Sequence, residues 1–421
     1  MAAKPSAASE PEAKRAHVTE GGQAGDEHPA VTRFRDYLRI NTMQPTPDYE
    51  AAAVFLEGQA KDLGFEVRRW EGVPGKPAVI MTCPGTDPTL PSVVLNSHID
   101  VVPVFEEHWK HPPFAAVKED GWIYARGSQD MKCVGMQYLE ALRELRAAGA
   151  SFARTIHLTF VPDEEIGGHD GMERFVEDPL FKELNIGVAL DEGLASENDK
   201  FPVYYGERVP WWVTVKCTGQ PGHGSRFLPK TAMERLVGVI NKFLKFRGEQ
   251  EAILLNDPTK TLGDVTTVNL TMLNGGVQYN VIPAEAGAGF DMRIPPTVNL
   301  QELKATLDEW MAGEGISYTF KQVYWNNPVT DISDKNLYWS AFAAACGRCN
   351  IDIEPQIFPA ATDSRYLRCA NIPAIGFSPM NNTPVLLHDH NERLHEDVYI
   401  RGIAIYKEIL PALANLPAIQ A

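Results

Sequence analysis

Basic residues are in short supply in this chain: across 421 residues, 39 Lys and Arg stand against 55 Asp and Glu, a formal charge of -16. Nucleic acid and anionic membrane surfaces reward clustered Lys and Arg, so neither is expected as a partner. The plain use of such a surface is solubility. Cysteine is also scarce. Cys83, Cys133, Cys217, Cys346, Cys349 and Cys369 are spread far below the density of a disulfide scaffold, which predicts reduced thiols and a cytoplasmic setting. Cys346 and Cys349 form a CxxC, but no second pair follows, and with Phe342 and Ala345 they suit a helix face. Long apolar runs are missing too. No stretch of about 18 apolar residues occurs, and the first 30 residues lack the apolar segment of a signal peptide, so a soluble intracellular chain is expected. In that setting the sequons Asn269-Leu270-Thr271 and Asn381-Asn382-Thr383 are accidental.

What is present suffices for two domains with cores of their own, since 44% of the residues are hydrophobic. Residues 1–27 carry no apolar periodicity and read as a disordered tail, with folding beginning near Pro29. Strands and helices then alternate. A helix over residues 49–63 stops at Gly64, and apolar runs follow at Ala78–Thr82 and Val93–Asn96. After Asp130 comes a helical run with Val134, Tyr138, Leu142 and Leu145 on one face. A strand over Thr155–Val161 alternates Ile156, Leu158 and Phe160 with Thr155, His157 and Thr159, and another covers Ile186–Leu190. This pattern predicts an α/β fold, a mixed sheet flanked by helices, over residues 28–208 and 326–421. Between them, residues 209–325 follow the order β-α-β-β-α-β of a ferredoxin-like α+β unit, read as an inserted domain. Its first helix should bury Leu236, Val239, Ile240, Phe243 and Leu244 on one face.

Short acidic and histidine motifs stand where apolar runs stop: Ser97-His98-Ile99-Asp100, Gly127-Ser128-Gln129-Asp130, Asp163-Glu164-Glu165, Asp191-Glu192-Gly193 and His388-Asp389-His390. Three of them follow the carboxyl ends of strands, where open α/β sheets bind ligands. Imidazole nitrogens and carboxylate oxygens are zinc donors, a paired site needs a shared ligand, and Asp130 has two oxygens to share. Adjacent Glu164 and Glu165 point in different directions, so one can ligate while the other handles protons. Each motif alone has a plainer reading: a hydrogen-bonded strand end for His98, a helix N-cap for Asp130, an exposed acidic turn for Glu164 and Glu165. Five of them together at element ends favour a two-metal hydrolase.

The strings SHIDVVP, ARGSQDMK, VPDEEIGGHDGME, ALDEG, PGHGSR, YNVIPA, FDMR, ATDSRY and LLHDHNERLHE resemble those of the zinc-dependent M20 amidohydrolases and peptidases over about residues 28–418. The resemblance implies two zinc ions per subunit, one held by His98, Asp130 and Glu192 and the other by Asp130, Glu165 and His388, with Asp130 as the bridge. It implies Glu164 as general base and later proton donor, and Asp100 as the residue that orients His98. It is similarity that selects Glu192 over Asp191 and His388 over His390, the second choice supported by the His-x-x-x-Glu spacing from His388 to Glu392. The inserted domain resembles the family's dimerisation and lid module, so a homodimer is expected in which His223 reaches the neighbouring active site and stabilises the oxyanion. A local turn histidine is the plainer reading of His223. Asn280, Arg293 and Arg365 are candidates to hold a substrate α-carboxylate, with surface salt bridges as the alternative for each arginine. The implied activity is hydrolysis of N-acyl-L-amino acids with neutral aliphatic side chains. A dipeptidase of the same fold is the nearest alternative, and an inactive metal-binding interaction protein the remote one.

Overall fold

The computed structural model describes residues 27–418. Residues 1–26 of the expected tail lie outside the described residues, while Glu27 takes part in the fold: its carboxylate lies 2.7 Å from Arg35 and 3.2 Å from Lys118. Eight strands make a mixed sheet in the spatial order Glu66–Trp70, Ala78–Cys83, Ile156–Val161, Ser92–His98, Ile186–Asp191, Ala374–Gly376, Lys200–Glu207 and Asp352–Phe358. The four from Ile156–Val161 to Ala374–Gly376 run parallel, and Glu66–Trp70 and Ala78–Cys83 are antiparallel at one side. Parallel strands are covered on both faces. Ser92–His98 and Ile156–Val161 are accordingly buried at every residue. The alternation in Ile156–Val161 therefore marks no wet face: His157 pairs with Thr82 Oγ1 at 2.9 Å, and Thr159 donates to Asn96 at 2.8 Å.

Helix boundaries follow local chemistry. Tyr49–Leu63 begins at Asp48, whose carboxylate accepts the Ala51 amide, and ends at Gly64 with φ of 65°, a left-handed conformation that glycine adopts without a side-chain clash. Lys132–Ala147 packs with Glu396–Ala414 in the main core, where the rings of Tyr138 and Tyr406 meet edge to face at 4.7 Å. Asp130 is not the cap of Lys132–Ala147. Met131 occupies that position, without a side-chain bond to the first turn, and the Asp130 carboxylate faces His98 and His388 instead.

A second sheet holds four antiparallel strands in the order Thr267–Gly275, Glu285–Ile294, Val209–Thr218 and Ile316–Gln322. Helices Ala232–Asn256 and Leu300–Met311 complete its core through Leu236, Val239, Phe243, Leu303 and Leu307. The expected apolar face of the first helix is narrower than the periodicity suggests. Ile240 is only partly buried, and Leu244 is 45% exposed.

Candidate metal centre

The strands Ile156–Val161, Ser92–His98 and Ile186–Asp191 lie side by side and parallel, so their carboxyl ends bring His98, the Asp163-Glu164-Glu165 turn and Asp191-Glu192 to one rim. Loops from distant parts of the chain add Asp130 and His388. Asp130 Oδ1 lies 3.0 Å from His98 Nε2, and its Oδ2 lies 3.2 Å from His388 Nε2. Glu192 stands 3.7 Å from His98, and Glu165 stands 3.0 Å from His388. One carboxylate thus faces two imidazoles, each with a further carboxylate at its side. Glu164 joins the first group, its donor atom within 4.8 Å of those of His98 and Glu192. It is half-buried, so the exposed acidic turn is not what forms here.

These acids crowd one another. Burial and the charge of Glu192 raise the Glu164 carboxyl well above its ordinary range; burial and Asp130 raise Glu192 likewise and push Glu165 up to about 7. Asp130 is the exception: burial opposes its charge, but the hydrogen bonds of His388 and His98 hold it well below the usual carboxylate range. Burial also opposes a charge on His98, yet Asp130 and Glu192 raise its imidazole well above normal.

The surrounding contacts fix this geometry. Glu392 is fully buried and accepts the amides of Gln129 at 2.6 Å, Gly127 at 3.2 Å and Asp130 at 3.3 Å, together with Arg126 at 2.7 Å. Nothing local in the sequence marks it as the anchor of the Asp130 loop; only the spacing to His388 brings it into view. Asp100 meets His98 through its backbone. The ring nitrogen Nδ1 of His98 meets the Asp100 carbonyl at 2.8 Å and lies 3.8 Å from the carboxylate, which instead accepts the amides of Glu164 at 3.1 Å and Glu165 at 3.2 Å. Asp163 is held by Lys76 and by Tyr49 at 2.6 Å, and Gln44 bridges it to Asp100.

The paired choices separate by contact. Asp191 accepts from Asn96 at 3.1 Å and Ser364 at 2.7 Å, leaving Glu192 to face His98. His390 packs its ring 4.9 Å from that of His108, whereas His388 turns to the carboxylates. Arg365 is buried and donates to the Gly167 carbonyl at 2.6 Å, in the loop that carries Glu164. Arg293 forms a bidentate pair with Asp291 at 2.7 and 2.9 Å, the salt-bridge alternative. His223 and Asn280 belong to no metal-ligating group of the described residues: His223 is exposed on a two-residue ribbon and pairs with Ser225 at 2.8 Å, and Asn280 is exposed beside Gly224.

The donors fit a pair of divalent cations. Imidazole and carboxylate suit zinc, cobalt or manganese, and the buried Glu165 Oε1 has no hydrogen-bond partner among the described residues, as a ligand atom awaiting a cation would. Two imidazoles facing one carboxylate, with further acids beside them, are the kind of donor set that a two-metal hydrolase site needs. The chain belongs to peptidase family M20/M25/M40, whose model matches residues 94–412. It is 55% identical to aminoacylase-1 of Mus musculus over 396 residues, covering 93% of this chain and 97% of the mouse protein. Against aminoacylase-1 of Homo sapiens it is 55% identical over 399 residues, with 94% and 98% covered. Its fold matches that of the Bacillus subtilis YXEP protein, a dinuclear metal binding peptidase of the M20 family, with a TM-score of 0.65 at 16% identity over 91% of this chain and 98% of that one.

Proposed function

We propose that this protein hydrolyses N-acyl-L-amino acids, chiefly N-acetylated neutral aliphatic ones, to a carboxylate and the free L-amino acid, with two zinc ions per subunit bridged by Asp130. The carrying observation is the Asp130 carboxylate shared between His98 and His388, with Glu164 beside it, in a chain 55% identical to aminoacylase-1 over nearly its whole length. When bound, the cations supply Lewis-acid polarisation of the acyl oxygen and a water of lowered pKa. His98 and Glu192 would hold one, His388 and Glu165 the other. Glu164 removes the proton of the attacking water and returns it to the nitrogen as the C–N bond breaks. Asp100 orients His98 through its carbonyl and holds the turn that carries both glutamates by accepting their amides.

Arg365, with Asn280 and Arg293, receives the substrate carboxylate in this reading; Arg293 would have to exchange its bond to Asp291. A homodimer supplies the remaining group. His223 lies exposed on a two-stranded ribbon separate from the four-stranded sheet, which supports presentation to a second subunit, where the partner's His223 would meet the developing oxyanion. The reading includes a cytoplasmic enzyme, in keeping with its six free thiols.

Two measurements test this. Hydrolysis of N-acetylmethionine should exceed that of a simple dipeptide under equal conditions, with about two zinc ions per chain by metal analysis. The reverse preference would establish a dipeptidase instead. For the dimer, H223A and E164Q are each inactive alone, and mixing them after dissociation restores part of the activity, because one mixed site carries both native groups. Mixtures as inactive as their components would remove His223 from the partner's site.

A further inference from the structure

In the run Thr362 to Tyr366 every side chain but one is hydrogen-bonded. Thr362 pairs with Glu207 at 3.0 Å, Ser364 with Asp191 at 2.7 Å, and Arg365 and Tyr366 both reach the Gly167 carbonyl at 2.6 Å. Asp363 is the exception. It is 1% exposed, yet neither carboxylate oxygen has a hydrogen-bond partner among the described residues. A buried carboxylate without a donor is among the costliest arrangements in a folded protein, so a standing one marks a place where a donor arrives. Burial and the charge of Asp191 push its carboxyl well up, as the missing donor requires.

The surroundings say which donor. A Cβ built on Gly168 would stand 2.7 Å from Asp363 Oδ1, so this oxygen lies against the loop carrying Glu164, at a point where that loop has no side chain. Arg365, two residues after Asp363, is tied to the same loop by its donation to the Gly167 carbonyl at 2.6 Å. In the reaction proposed above, on which this inference rests, Arg365 faces the carboxylate of the leaving amino acid and Glu164 gives its proton to the nitrogen. The C–N electron pair stays on that nitrogen, which becomes an amine with the proton from Glu164 and an ammonium with the second water proton, lost by the acyl product as it becomes a carboxylate. In such a substrate the group between the atom that Glu164 protonates and the carboxylate that Arg365 faces is therefore an N–H donor that gains positive charge.

We infer that Asp363 is a substrate- and product-binding residue that accepts the N–H of the scissile amide and then pairs with the ammonium of the departing L-amino acid. The test compares inhibition of N-acetylmethionine hydrolysis by L-methionine and by its des-amino analogue 4-(methylthio)butanoate, in the wild type and in D363N. In the wild type the amine should strengthen inhibition about tenfold or more, the effect of one charge-assisted hydrogen bond. D363N should lose that advantage for methionine, leave the des-amino acid within about twofold, and keep its zinc. Equal inhibition by the two acids in the wild type overturns the inference without any variant, as does a D363N enzyme that weakens both alike. A wild type that neither hydrolyses N-acetylmethionine nor binds methionine would overturn the functional reading, and this inference with it.

Discussion

Glu392 touches no cation position, yet its loss should be felt both in folding and in metal binding. In E392Q the side chain keeps its shape and one acceptor oxygen but loses its charge. Arg126, 2% exposed, then stands buried with no counter-charge at 2.7 Å. Breaking a buried pair from one side costs about 3–5 kcal/mol. Because glutamine can still accept the Gln129 amide, the lower end, about 3 kcal/mol, is expected, and E392A should reach the upper end. The second effect runs through Asp130, whose amide Glu392 accepts at 3.3 Å beside that of Gln129 at 2.6 Å. With that anchor weakened, the bridging carboxylate is less well placed, and supporting contacts of this kind are worth about 10–100-fold in metal affinity. Urea unfolding of the chelator-treated protein reads the first effect, and competition with a chromophoric chelator reads the second. An E392Q protein within about 1 kcal/mol of wild type and within about twofold in metal affinity would refute the anchoring role.

Four further outcomes are expected. E164Q should lower kcat by at least about 10²-fold with zinc content unchanged; retained turnover in a metal-replete variant would move the base elsewhere. In the metal-free protein the hydrogen bonds of Asp130 and Glu165 push His388 up to about 10, so a cation must displace its proton and apparent metal affinity should rise from neutral pH toward that value. Affinity independent of pH in chelator competition would contradict this. Burial lowers His157 from 6.5 to about 4, so on acidification through that window the unfolded chain takes up a proton first and stability falls, by about 3 kcal/mol at most. H157Q should flatten this part of a plot of unfolding free energy against pH, and an unchanged slope would show that His157 is not its source. G168A meets a φ of 67° and a contact of 2.7 Å to Asp363, so kcat/KM for N-acetylmethionine should fall by at least about tenfold; an undisturbed value would mean the loop yields freely.

Much of the molecule is legible one segment at a time. The helix Tyr49–Leu63 stops where glycine permits a left-handed residue, and the order of strands and helices through residues 209–322 follows from local periodicity and turn residues. Periodicity misleads where burial is set by neighbours: His157 and Thr159 look like a wet face but are covered because their strand sits inside a parallel sheet, and Leu244 looks buried but is not. The site shows the same division. That acids and histidines follow strand ends is visible in the chain, because strand length and apolar pattern are local properties.

Which of two adjacent acids turns inward is not local. Asp191 is drawn to Asn96 and Ser364, the latter 173 residues away, and this leaves Glu192 facing His98. The link from Glu392 to the Asp130 loop spans 262 residues, and Asp363 Oδ1 lies against Gly168 of a loop almost two hundred residues earlier in the chain. Sequence by itself determined the inventory of donors, their order and the elements that carry them. The tertiary structure alone decided which oxygen faces which nitrogen, since hydrogen-bond and metal chemistry depend on distances of a few ångströms that only packing between remote segments sets.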